Sequence, residues 1–100
     1  MIKHIVTFRL FDFAEGATKA DNAIKIKNLL SGLPAKIEQI RSYEIGMNEI
    51  QSERAADLIL ISTFDNYDDM TTYLNHPEHQ KCVEFVNKVR SESRFVDFTY

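Results

Sequence analysis

Hydrophobic and polar positions alternate with period two at the start of the chain. In IKHIVTFRL, Ile2, His4, Val6, Phe8 and Leu10 fall on one face and Lys3, Ile5, Thr7 and Arg9 on the other, the pattern of a strand. After FDFAEG, read as a loop, the spacing turns helical in ATKADNAIKIKNLLSGLP, where Ala23, Ile26, Leu30 and Leu33 recur among polar residues. Gly32 and Pro34 close that helix, the glycine suited to the left-handed turn common past a helix end. KIEQIRSYEIGMN predicts a second strand with Tyr43, Ile45 and Met47 on one face, and the out-of-phase Ile37 and Ile40 point to a bulge. The polar NEIQSERAA leads into DLILISTF, whose Leu58, Leu60 and Phe64 oppose Ile59, Ile61 and Thr63. A strand apolar on both faces is normally covered on both, here by helices on one side and something else on the other.

Asp65 or Asn66 is placed to cap a helix over NYDDMTTYLN, with Tyr67, Met70, Tyr73 and Leu74 as its apolar stripe and two aspartates in its first turn. Pro77 stops it and suits the first position of a new helix, PEHQKCVEFVNKVRSE, capped by His76 or Asn75. His79 shares that helix's apolar stripe with Cys82, Val83, Val86 and Val89. RFVDFTY predicts the last strand. The order of strand, helix, two strands, helix pair and strand matches the α+β, ferredoxin-like βαββαβ arrangement, a four-stranded antiparallel sheet with its helices on one face.

Composition narrows the function classes. A chain of 100 residues with no linker-like segment predicts a single domain spanning residues 1–100. The formal charge of -3, with acidic and basic residues interspersed, gives no positive field of the sort that recruits nucleic acid. The opening segment is too polar for a signal peptide, and no run approaches the roughly 20 apolar residues of a membrane span. A cytoplasmic location is therefore expected, and the lone Cys82 agrees with a reducing compartment.

Candidate chemistry centres on His4, Tyr73 and His79. If the helices cover the sheet face that carries His4, the stripes bearing Tyr73 and His79 point into the same layer. His79 lies in the first turn of its helix, where burial and the macrodipole both disfavour an imidazolium. Glu78 opposes them if its carboxylate comes near. A neutral His79, able to accept a proton, is the leading expectation. Three readings of the trio stand at this point: core residues bonded to backbone, a shared functional pocket, or a metal site. The metal reading has the least support, because Pro77 breaks the geometry of His76 and His79 and no HExxH or cysteine-pair spacing is present. His76 is read as the helix joint. Neither a phosphate-binding glycine loop nor a GxSxG elbow occurs.

The opening IKHIVTFRL, the block ADLILISTFDNYDDMTTYLNHPEHQKCVEFV and the terminal FVDFTY together resemble the stress-responsive A/B barrel domain, or Dabb, within the dimeric α+β barrel group. HPEH is the most specific portion of the resemblance. It implies a ferredoxin-like protomer that forms a homodimer through its sheet face, with Lys3, Ile5, Thr7 and Arg9 turned toward the barrel interior or the partner. The family includes a plant polyketide cyclase that works without a cofactor. By similarity to it, His79 matches the general base, Tyr73 the hydroxyl that assists the reacting carbonyl, and His4 a polar group of the same pocket.

These readings lead to an expected cofactor-free enzyme without metal, acting on an apolar small molecule that contains a carbonyl. Its chemistry would be proton abstraction followed by aldol-type cyclisation, elimination or isomerisation. A non-enzymatic stress-associated module that binds a small ligand or assembles with other proteins is the alternative. A cofactor-free oxygenase is a third, by fold analogy alone.

Overall fold

The computed structural model describes residues 1–100. Nine elements follow in order: β1 Ile2–Leu10, β2 Phe13–Ala14, β3 Ala17–Thr18, α1 Lys19–Ser31, β4 Ser42–Met47, β5 Leu58–Phe64, α2 Tyr67–Asn75, α3 Pro77–Val89 and β6 Arg90–Thr99. Four strands form an antiparallel sheet in the order β4-β5-β1-β6. This is the split arrangement expected, because strands joined through a helix cannot be hairpin neighbours and leave room for another strand between them. The fold is α+β.

The period-two pattern of β1 sets the layers. Ile2, His4, Phe8 and Leu10 are buried under the helices, and the register places Ser62, Leu60 and Leu58 of β5 beside His4, Val6 and Phe8 on that same face. Ala23, Ile26 and Leu30 from α1, Met70 and Tyr73 from α2, and Cys82, Val86 and Val89 from α3 close over them into one core. No helix lies on the opposite face, where Ile5 stands between Ile61 and Val96.

The sequence expectations are corrected at several points. FDFAEG is not a plain loop, because β2 and β3 make a small hairpin turned by Glu15 and Gly16, both at positive φ, a conformation glycine adopts readily. The buried Asn22 amide donates to Ala14 O at 3.0 Å and braces it. Gly32 is right-handed, with φ −80°, since the chain continues in helical turns that carry Leu33 and Ile37 into the core. Residues 36–41 accordingly form turns, not a bulged strand; Ile37 and Ile40, three apart, follow helical rather than strand spacing. Tyr67, at the first position of α2, is exposed. Arg90 to Glu92 belong to β6 and not to the preceding helix, because β6 pairs with β1 as far as Leu10, and cross-strand pairing overrides the local helical tendency.

Candidate functional site

The HPEH segment explains itself locally. His76 has extended backbone and its Nδ1 accepts from Glu78 N at 3.1 Å, so it caps α3 with Pro77 in the first turn. Glu78 N is thereby diverted from Leu74 O, its partner in an uninterrupted helix. The carbonyls of a helix's last turn must find other donors, and Leu74 O takes two: Gln80 Nε2 at 2.6 Å and His79 Nδ1 at 2.9 Å. A carbonyl can only accept, so Nδ1 of His79 carries the hydrogen and Nε2 holds a lone pair. A proline break between two helices thus fixes a histidine tautomer.

Burial lowers the pKa of His79 below its ordinary value, with the nearby His4 and His76 acting in the same direction and the Leu74 carbonyl opposing them. The neutral form predominates at neutral pH. Glu78 does not counter this, because its carboxylate faces Lys36 at 3.4 Å and Lys81 at 3.3 Å. Folding linkage follows with a definite sign. Below pH 6.5 an unfolded His79 binds a proton that the folded one still refuses, so its contribution is fully present above that value and is lost as pH falls through the lowered folded pKa. The melting temperature of the wild type should therefore drop more steeply on acidification from neutral pH than that of His79→Gln; parallel curves would contradict this.

Tyr73 is wholly buried, its ring centroid 4.3 Å from that of His79 and 6.4 Å from that of His4. Its hydroxyl meets Tyr43 OH at 2.8 Å. Burial pushes the Tyr73 pKa up to about 12 and raises that of Tyr43 as well, so both phenols stay protonated. His4, 6 % exposed, donates from Nδ1 to Asp97 Oδ1 across the β1–β6 pair, leaving Nε2 as its remaining ring nitrogen.

These three side chains line one cavity of about 190 Å³ between the sheet and α3. That is below the ~300–1,000 Å³ of drug-sized sites. Val6, Phe8, Val83 and Val86 supply apolar wall, and Asn87, Arg90 and Ser93 also line it. His76 is not among its lining residues and borders a different depression with Pro34 and Thr72. No three His, Cys, Asp or Glu side chains are grouped as metal ligands would be. Sequence reading missed Asp97 and the partnership of Tyr43 with Tyr73. Both depend on strand register across long sequence separations, for which alternation within one strand gives no signal.

The architecture and cavity define an α+β protein of ferredoxin-like topology with a small, largely apolar pocket carrying two imidazoles and a phenol. The chain matches the stress responsive A/B barrel domain family over residues 2–100 and belongs to it. It is 30% identical over 100 residues to an uncharacterised protein of Streptomyces coelicolor, with 95% of this chain and 100% of that one covered. Its fold is similar to that of a dimeric ferredoxin-like protein from Bacteroides fragilis, at 31% identity and a TM-score of 0.80 over 99% of this chain and 95% of the other. A hydroxynitrile lyase from Passiflora edulis shares the fold at a TM-score of 0.80 and 12% identity, covering 97% and 90% of the two chains. No helix is long and apolar enough to cross a membrane.

Proposed function

We propose that the chain is a cofactor-independent enzyme that moves a proton next to a carbonyl of a small, partly apolar molecule. The observation that carries the reading is His79, held by Leu74 O as the Nδ1–H tautomer and kept neutral by burial, on the wall of the cavity. In this reading Nε2 of His79 removes a proton from the carbon beside the carbonyl. The C–H bond breaks, its electron pair moves toward the carbonyl oxygen as an enolate, and the new N–H can return the proton to carbon or to a departing group. With Tyr43 donating to Tyr73, the Tyr73 hydroxyl hydrogen is left for the enolate oxygen. His4, oriented by Asp97, positions the substrate or relays a proton. The Passiflora lyase lends the reading the support of a shared fold alone.

Exchange of carbonyl-adjacent hydrogens for deuterium tests this without a known substrate. A panel of small aldehydes and ketones in D₂O, followed by proton NMR, should show exchange accelerated by the protein for at least the members that fit the cavity. A ligand-binding module would bind panel members without accelerating exchange, and that result would reject the enzyme.

The sheet face opposite the site supports assembly as a homodimer. Ile5, Ile59 and Ile61 lie there without a covering helix, beside Val96 at 53% exposed and Phe98 at 39%, and a contiguous apolar strip on a sheet calls for a partner. The Bacteroides relative is dimeric. Sedimentation equilibrium should give a dimer for the wild type and a folded monomer for Ile61→Arg, which forces an unpaired charge into the contact. A wild-type monomer would remove the proposal.

A further inference from the structure

The cavity is chemically graded along its length. His4 and His79 mark one end. Phe8 lies four residues along β1 from His4, about 13 Å at the rise of a strand, and Asn87 eight residues along α3 from His79, about 12 Å at the rise of a helix. The register sets Ser93 opposite Phe8 and Arg90 opposite Leu10, so the polar groups Asn87, Arg90 and Ser93 gather at the end away from the histidines. The polar end reaches solvent. Asn87 is exposed there and Arg90 and Ser93 are half-buried beside it, over the buried Phe8 and Val86.

Arg90 is the one charged side chain in the lining besides the ionisable histidines, and no carboxylate lines the cavity. Its Nε donates to Asn87 Oδ1 at 2.8 Å. That bond sets the plane of the guanidinium while engaging only one of its nitrogens. A guanidinium so oriented presents its terminal nitrogens as a pair, the geometry that matches a carboxylate.

We infer that Arg90 is a specificity residue, and that the substrates of this site are small oxo acids: a carbonyl at the histidine end, an apolar middle and a carboxylate held at the mouth by Arg90. The inference rests on the enzymatic reading of the same cavity for its carbonyl end. The carboxylate end stands on Arg90 and the gradient alone. Charge-assisted bonding at a half-exposed site should favour a carboxylate over a neutral ester by about 10-fold.

The test uses a homologous series of ω-oxo carboxylates and their methyl esters, with dissociation constants read by isothermal titration calorimetry on the full chain. For the wild type, the best-fitting acid should bind about 10-fold more tightly than its ester. Arg90→Gln should abolish that preference and Arg90→Lys should keep part of it, with unchanged circular dichroism reporting the fold of each. Equal binding of acids and esters to the wild type, or binding of neither, overturns the inference, as does a preference that survives Arg90→Gln. Deuterium exchange on the same ligands separates the two proposals: an Arg90-dependent acid preference without accelerated exchange leaves the specificity pocket standing and removes the enzyme.

Discussion

Replacing His79 with glutamine is expected to lower protein-accelerated deuterium exchange by ~10²–10⁴-fold, the usual contribution of a positioned general base. Glutamine is the informative replacement. Its amide can still donate toward Leu74 O, the partner that holds the imidazole at 2.9 Å, but it cannot take a proton from carbon. The ring packing of His79 against Tyr73 is lost in part, so thermal melts must accompany the rates. The pH profile gives a second and independent signature. Because burial lowers the His79 pKa below its ordinary value, the wild-type rate should rise with pH through that lowered value and stay level through neutrality. The variant should show no such limb. A variant that exchanges at the wild-type rate, with the same acid limb, would assign the base elsewhere in the cavity.

How far the site could be foreseen depends on the range of the contacts that build it. The alternation of Ile2 to Leu10 puts His4 under the helices, and the spacing of Tyr73 and His79 on their helices puts them in the same layer. Each placement needs only one element and the rule that apolar faces pack together. The HPEH joint was legible for the same reason, since capping by His76 and Pro77 is settled within a few residues. Asp97 was not legible, because its meeting with His4 spans 93 residues and depends on the β1–β6 register. Arg90 follows the sequence PEHQKCVEFVNKVRSE as a helical residue, and only the pairing of β6 as far as Leu10 moves it into the strand at the cavity's far end. Ile37 misled for the opposite reason: a local helical turn carried into the core a residue that β propensity had placed in a strand.

Tyr73 binds fold and site together, and two replacements should separate those roles. Tyr73→Ala removes a fully buried ring that touches Phe64, Tyr43 and His79, and large-to-small changes of this kind cost about 3–5 kcal/mol. In a chain of 100 residues whose total stability should be on the order of 5–15 kcal/mol, that loss should appear as a marked fall in the urea midpoint. Tyr73→Phe keeps the ring and its packing on His79 but leaves the half-buried Tyr43 hydroxyl without its 2.8 Å partner. The cost of that orphaned group is about 1–3 kcal/mol. If Tyr73 also supplies the hydrogen bond to a developing enolate, the phenylalanine variant should lose about 10²-fold in exchange rate at a temperature where it is fully folded. A phenylalanine variant with lowered stability and an undiminished rate would restrict the Tyr43–Tyr73 pair to the core and assign the enolate's hydrogen bond to another donor.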